Sequence, residues 1–265
     1  MDKSTTLNNF NNFFIDVCPD LDLNLREQIS TKSVQRNENN LFLYPTGPEE
    51  VYRVIMALKN KKSVGFDEIP VVLLKEVAEH IALPLTHVIN LAFTTGTFPD
   101  RLKLALIKPI HKRGEKSEFG NYLPISLLSN VSKVVEKIIN SRLLSFFEKN
   151  KIINEKQNGF SKGRSTVRGV YQALNEIIDA LNNYKRTAAL CIDLSRAFDS
   201  VNHEILCEKL EMYGVRGVAL SLIKSYLADR KQCVVAVDSD HLIYSDRVKI
   251  KRGVPQGPSL DHYCI

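Results

Sequence analysis

The chain has 265 residues, of which 44% are hydrophobic and 25% are charged, a composition typical of one large folded domain or two small ones. Its formal net charge of +6 favours a polyanionic partner without identifying one. Neither the polar N-terminus nor any later run is apolar enough for a signal peptide or a membrane span. We therefore expect no membrane association and an intracellular location, in the nucleus or the cytoplasm.

The five cysteines are widely spaced and form no Cys-x-x-Cys pair, so the sequence predicts neither zinc nor a disulfide framework. A reducing compartment is the default for such a chain. Cys191 and Cys233 lie in apolar runs and are expected in the core.

Residues 1–40 are rich in Asn, Asp, Ser and Thr, and we interpret them as a polar upstream connector. Phe10, Phe13 and Phe14 fall at helical spacing, which is compatible with a short helix. Organised sequence begins near Leu41, and helices are predicted from Pro48 onward, before and after a Gly-Phe-Asp-Glu-Ile-Pro turn.

Residues 101–110 and 122–128 are predicted as two strands of a hairpin. The tip between them has the sequence His-Lys-Arg-Gly-Glu-Lys and carries Lys112 and Arg113. A charge run alone is usually a solvated loop.

The next helix, over residues 131–147, has an apolar face that excludes Lys133, Lys137 and Arg142.

A glycine-bearing basic loop, Gly-Phe-Ser-Lys-Gly-Arg-Ser-Thr, precedes a helix predicted over residues 167–181. Lys162, Gly163 and Arg164 stand near the helix N-terminus, where backbone N–H groups favour phosphates. A plain connector is the alternative.

The continuous apolar run at residues 187–192 predicts a strand buried on both faces, and Asp193 follows directly. A carboxylate between a strand and a helix suits a divalent metal, although Asp193 could equally cap the following turn. Beyond it we predict helices over 204–212 and 218–227, strands over 232–237 and 247–250, and a turn over 253–257.

Four stretches, in this order, resemble the motifs of reverse transcriptases from non-LTR (LINE-like, jockey-type) retrotransposons. They are Asn-Tyr-Leu-Pro-Ile-Ser-Leu-Leu-Ser at 121–129, the basic loop at 159–166, Asp-Leu-Ser-Arg-Ala-Phe-Asp at 193–199 and Arg-Gly-Val-Pro-Gln-Gly at 252–257. The resemblance covers about residues 41–257 and implies an α+β fold with the right-hand polymerase layout. Residues 41–185 would be helical fingers with a hairpin fingertip. Residues 186–265 would be an incomplete antiparallel palm sheet, truncated before the second carboxylate motif, with the thumb absent.

The resemblance implies an RNA-directed DNA polymerase that adds dNTP to a DNA 3′ end on an RNA template. Its two-ion Mg²⁺ site would use the catalytic Asp193, with the Leu194 carbonyl as a further ligand. Phe198 would exclude a 2′-hydroxyl, which disfavours an RNA-dependent RNA polymerase. The remaining roles implied are triphosphate contact by Lys112 and Arg113, contact with the nascent pair by Gln256 and Gly257, and template contact by Lys162, Gly163 and Arg164.

Two departures from the family pattern accompany these matches. The second carboxylate motif, usually Tyr-Ala-Asp-Asp, does not occur in the sequence, which ends eight residues after Gly257. Leu123 stands where the family has an arginine that grips the triphosphate. Because one carboxylate cannot hold two metals, we expect the chain alone to be inactive. The alternatives are a non-catalytic nucleic-acid-binding remnant and a translated relic of a decayed element.

Overall fold

The computed structural model describes residues 3–16, 36–159, 163–194, 196–239 and 241–255. Its helices are α1 (Lys3–Asp16), α2 (Pro48–Met56), α3 (Val71–Glu76), α4 (Ala78–Thr95), α5 (Asn130–Lys149), α6 (Thr166–Asn182), α7 (His203–Met212) and α8 (Val218–Leu227). Its strands are β1 (Leu104–His111), β2 (Tyr122–Leu127), β3 (Lys231–Asp238), β4 (His241–Tyr244) and β5 (Val248–Lys249). The fold is therefore α+β, as predicted. None of the helices in the described part of the chain combines the length and apolarity needed to cross a lipid bilayer.

The strands form one sheet in the order β2-β1-β3-β4, with β5 also paired to β3. β1 and β2 are the predicted antiparallel hairpin, with His111 opposite Tyr122. β1 and β3 run parallel, with Leu104 opposite Lys231, so the expectation of an antiparallel sheet is wrong for this pair. β2 first runs back along β1, and the helical segment after β2 then brings the chain to β3 in the direction of β1. Parallel neighbours require such a long connection.

The strand predicted at residues 187–192 does not form. This segment has no regular secondary structure and pairs with no strand that the structure describes, and its apolar side chains are exposed, Leu190 at 85% and Ile192 at 78%. Cys191, expected in the core, is exposed as well, whereas Cys233 is buried. β1 pairs with β3 only from Leu104 to Ile107, and β2 and β4 are the outer strands, so the described sheet keeps unpaired edges that residues 187–192 do not join. An apolar run alone therefore does not determine whether a strand forms.

The main core lies between helices α2, α4, α5, α7 and α8. In α5 the predicted apolar face is buried, including Val134, Ile138 and Ile139. Ser129 caps this helix by accepting hydrogen bonds from the N–H groups of Val131 and Ser132. The apolar pattern in the sequence therefore predicts the apolar side chains that this helix buries.

A buried ion pair joins α2 to α5. Arg142 is 3% exposed, and both its Nη atoms lie 2.6 Å from the Glu50 carboxylate oxygens. The guanidinium also stacks 3.9 Å from the centroid of the Tyr44 ring. The hydrogen bond with Arg142 lowers the pKa of Glu50, against the opposing effect of burial. The prediction that Arg142 lies outside the buried face of α5 is thus wrong, since its charge is matched within the core.

Helix α1 covers one part of the sheet. Gln232 Nε2 donates to Asn11 Oδ1 at 3.0 Å, and the fully buried Asn11 amide donates to the Asp246 carbonyl at 2.8 Å. Phe10 contacts Phe119 and Tyr122 edge-on, with centroid distances of 4.6 and 4.8 Å. The spacing of the phenylalanines does correspond to a helix, and that helix packs against the sheet.

Helix α6 forms as predicted but buries none of its residues. Its apolar side chains follow helical spacing along one face, which we name the α6 stripe: Val167, Val170, Tyr171, Leu174, Ile178 and Leu181. All of them are exposed. An amphipathic helix of this kind gains its stability from packing, so α6 lacks the contacts that its sequence pattern anticipates.

Candidate functional site

An open cleft of about 830 Å³ lies between the hairpin tip and residues 192–199. Its lining includes five residues proposed from the sequence, drawn from separate stretches of the chain: Lys112, Arg113, Asp193, Leu194 and Phe198. Leu123 and Arg196 also line the cleft. The fold thus brings the basic tip and the acidic segment to opposite walls of one space.

The hairpin tip is held by side chains of the 121–129 motif. The Lys112 N–H donates to the Asn121 carbonyl at 2.9 Å, which extends the hairpin beyond β1. Asn121 Nδ2 donates to the Glu115 carbonyl at 3.0 Å, and the Tyr122 hydroxyl donates to the Lys116 carbonyl at 3.0 Å. Lys112 itself is exposed, so the tip presents its cation on a fixed backbone.

The acidic wall is a turn. Asp193 and Leu194 are exposed, and the N–H of Asp199 donates to the Arg196 carbonyl at 3.0 Å. Phe198 is half-buried, because it packs against the main core on one side and lines the cleft on the other. Asp193 is therefore open to solvent, whereas Phe198 is anchored. Arg196 was not singled out from the sequence, where its only signal is its position inside the motif.

The Arg-Gly-Val-Pro stretch closes onto this wall. The N–H of Val254 donates to the Phe198 carbonyl at 2.9 Å, and His203 Nε2 donates to the Gly253 carbonyl at 2.8 Å. Gly253 has φ +81°, and a Cβ there would lie 2.8 Å from the Asp199 carbonyl oxygen. Only glycine fits such an approach. Burial lowers the pKa of His203, partly offset by its hydrogen bond to Gly253.

A second close contact locks the base of the hairpin. A Cβ on Gly65 would lie 2.6 Å from the Ser129 Cα, so the 65–70 turn rests directly on the backbone after β2. The Ser129 hydroxyl donates to the Asp67 carboxylate, and Asn130 Nδ2 donates to the Ile69 carbonyl at 2.7 Å. These contacts fix the wall that carries the tip relative to the helical core.

The basic loop lies elsewhere. Neither Gly163 nor Arg164 lines the cleft, and Arg164 Nη1 donates to the carbonyls of Asn154, Glu155 and Gln157 at 3.2, 2.5 and 2.8 Å. That side chain holds the loop in shape. Three further residues proposed from the sequence, Lys162, Gln256 and Gly257, lie outside the described residues.

The oxygen atoms of the cleft are of the chemical type that binds divalent cations. The Asp193 carboxylate and the Leu194 carbonyl are the hard ligands that Mg²⁺ prefers, and Asp199 lines the same cleft. Among the residues that the structure describes, no group of three or more His, Cys, Asp or Glu side chains stands close enough to hold a metal. The donors present could therefore supply part of the ligand set of a metal ion.

The cleft thus combines the cations of a hairpin tip with an exposed carboxylate and an anchored aromatic ring. Residues 110–260 match the family described as reverse transcriptase (RNA-dependent DNA polymerase), and the chain belongs to that family. The resemblance inferred from the four motifs is confirmed.

The relatives are proteins of non-LTR retrotransposons. From Drosophila melanogaster, the probable RNA-directed DNA polymerase of transposon BS is 35% identical over 83% of this chain, and that of the X-element is 33% identical over 90%. The RNA-directed DNA polymerase from the mobile element jockey of the same fly is 31% identical over 80%. The chain spans about a quarter of the length of these relatives, 24%, 26% and 23% respectively. Its sequence is that of a reverse transcriptase domain of the non-LTR kind.

Proposed function

We propose that this sequence forms the fingers and part of the palm of an RNA-directed DNA polymerase acting on an RNA template, a DNA primer and dNTP. The observation that supports this most is the single cleft that unites Lys112 and Arg113 with Asp193 and Phe198. The family generally uses divalent metal ions, and the cleft offers oxygen donors for them.

In this proposal Asp193 and the Leu194 carbonyl hold one corner of a magnesium site. Bound Mg²⁺ would activate the primer 3′-oxygen and neutralise the leaving pyrophosphate. The further carboxylates would come from the portion of the longer relatives that this chain does not span. Asp193 is exposed here, so it can meet those partners without being drawn out of the core.

Phe198 would form the wall beside the deoxyribose. Its ring packs against the main core, so it resists displacement by a 2′-hydroxyl. Lys112 and Arg113 would meet the triphosphate from the opposite wall, where Asn121 and Tyr122 hold the tip. Leu123 also faces this space and offers no charge, so we expect triphosphate binding to be weakened.

We assign template contact to Lys162 and Gly163, with Arg164 shaping their loop through its carbonyl contacts. Gln256 and Gly257 are assigned to the nascent base pair, since they continue from the turn that Gly253 closes onto the wall. We further propose that the α6 stripe and residues 187–194 pack against the remainder of the palm, which would bury their exposed apolar side chains.

The test is a chimera in which this sequence is continued by the downstream portion of the BS relative. We expect it to extend a DNA primer on an RNA template with dNTP and Mg²⁺, and Asp193→Asn to abolish the extension. Asp179→Asn, an exposed carboxylate on α6, is the matched control and should retain activity. The 265-residue chain alone should give only background. Extension by the chimera that survives Asp193→Asn would overturn the assignment.

A further inference from the structure

Arg230 is buried and forms no ion pair with the residues that the structure describes. The residue stands between α8 and β3 and is 1% exposed. Its Nη1 donates to the Tyr226 carbonyl at 3.4 Å, and its guanidinium lies 4.6 Å from the Tyr226 ring centroid. Among the residues that the structure describes, its Nε and Nη2 atoms have no hydrogen-bond partner. Arginine keeps its proton inside proteins, and a buried charge without a partner is strongly unfavourable. In the described part of the chain, no counter-charge meets these two atoms.

The two free donors have a defined geometry. Nε and Nη2 lie on the same edge of the planar guanidinium, so they can donate in parallel to two oxygens of one anion. The third donor group, Nη1, and the ring face are already occupied by Tyr226. What remains free is a side-on fork for a carboxylate or a phosphate.

Arg230 lines a cavity of about 220 Å³. Lys251 and Arg252 line it too, so its three cationic side chains outnumber the two acidic ones, Asp16 and Asp199. Asp199 also lines the large cleft, which makes it the wall between the two spaces. The cavity is separate from Lys112 and Arg113, the cations of the cleft.

We propose that this cavity is an anion site that binds a phosphate group through Nε and Nη2 of Arg230. The chemistry is shared by inorganic phosphate and by a backbone phosphate of a nucleic acid. Its cations belong to the connection between α8 and β3 and to the segment after β5, so phosphate binding can be measured on the chain without a polymerase assay. The competing explanation is internal, in which the Asp199 carboxylate turns away from the cleft to neutralise Arg230.

The first test is thermal melting of the 265-residue chain in phosphate and in chloride at equal ionic strength. We expect phosphate to raise the melting temperature of the wild type. Arg230→Met should melt higher than the wild type in chloride, because the unpaired charge is gone, and it should not respond to phosphate. Lys249→Met is the matched control, since this lysine pairs with Asp229 at 2.6 Å on the surface and lies outside the cavity. It should keep the phosphate response.

The second test compares ligands by equilibrium dialysis on the wild type and Arg230→Lys, which keeps the charge but loses the fork. Inorganic phosphate should bind at least about tenfold more weakly to the variant. A short oligonucleotide without terminal phosphates is then added as a competitor. If it displaces inorganic phosphate and the displacement depends on Arg230, the natural ligand is a backbone phosphate of a nucleic acid. If inorganic phosphate binds and the oligonucleotide does not displace it, the ligand is the free anion. The proposal is overturned if neither ligand binding depends on Arg230. It is equally overturned if Arg230→Met and Asp199→Asn destabilise the chain alike in chloride, since Asp199 would then be the counterion.

Discussion

Residues 36–150 and residues 163–194 have similar sequence patterns and different packing. In the first region α5 presents an apolar face at helical spacing, and that face is buried. In the second region α6 presents an equally regular stripe, and none of its residues is buried. The apolar run that follows it is also exposed. Periodicity therefore specifies where a helix forms and which side is apolar, whereas burial depends on a partner surface.

The largest expected difference between the two regions is in the cost of truncating an apolar side chain. Ile138→Ala removes buried methylenes from α5 and should lower the free energy of unfolding by about 2–5 kcal/mol. Leu174→Ala is the matched change in α6, where the side chain is 52% exposed, and should change it by less than about 0.5 kcal/mol. Urea denaturation of both variants measures the contrast. Equal losses would mean that α6 is packed in solution.

Ion pairs provide a second contrast. Glu50→Ala leaves the charge of Arg142 without its partner and should lower the free energy of unfolding by about 3 kcal/mol. This value is at the lower end of the range for breaking a buried ion pair, because Glu50 is 28% exposed. Glu176→Ala breaks the exposed Lys156–Glu176 pair of α6 and should cost under about 1 kcal/mol.

Acid titration tests the same pair. The pKa of Glu50 is lowered in the folded state, so the ionised carboxylate adds to the free energy of unfolding. This added stability is complete above the ordinary pKa of a glutamate, about 4, and is lost as the pH falls through the lowered pKa. With Glu50→Gln, the free energy of unfolding should fall less steeply as the pH is lowered below about 4. The same steepness in the variant and the wild type would show that the pair contributes little.

Catalysis tests the packed wall of the cleft. In the chimera, Leu123→Arg should raise kcat/KM for dNTP about ten- to a hundredfold, because a charge-assisted hydrogen bond contributes roughly 1.5–3 kcal/mol. RNA binding should change little, since the side chain faces the nucleotide space. If steady-state kinetics show equal kcat/KM with leucine and arginine, the triphosphate is held by Lys112 or another cation.

The smallest effect concerns His203. Burial lowers the pKa of His203, so the folded state favours the neutral imidazole. The stability that this preference adds is complete above the ordinary histidine pKa, about 6.5, and is lost as the pH falls below that value. His203→Gln keeps a donor for the Gly253 carbonyl and removes the titration. The slope of unfolding free energy between about pH 7.5 and 5.5 should decrease. His87→Gln, on the exposed side of α4, is the control and should leave the slope unchanged.

The elements that sequence reasoning located are those set by local signals. The hairpin, α5 and α6 follow from periodicity and turns, and the motif order was enough to identify the family. The parallel pairing of β1 and β3 could not be predicted, because register across a long crossover depends on tertiary packing. Arg142 was misplaced for a similar reason, since its partner Glu50 is distant in sequence.

The sequence named several residues that line the candidate cleft, but it did not predict their surroundings. Lys112, Asp193 and Phe198 meet in one cleft, as the motifs suggest. The exposure of Asp193 was not foreseen, because the apolar run at residues 187–192 predicted a buried strand, whereas the segment is exposed and joins no strand that the structure describes. Arg230 carries no local signal at all; its isolation is visible only once the side chains around it are placed.

Hydrogen–deuterium exchange on the chain and on the chimera tests the central claim most directly, namely that residues 163–194 lack a packing partner that residues 36–150 possess. In the chain alone, amides of α5 should be strongly protected, while those of α6 and residues 187–194 should exchange rapidly. In the chimera all three should be protected. Protection of α6 equal to that of α5 in the chain alone, or rapid exchange of α6 and residues 187–194 in an active chimera, would contradict the account.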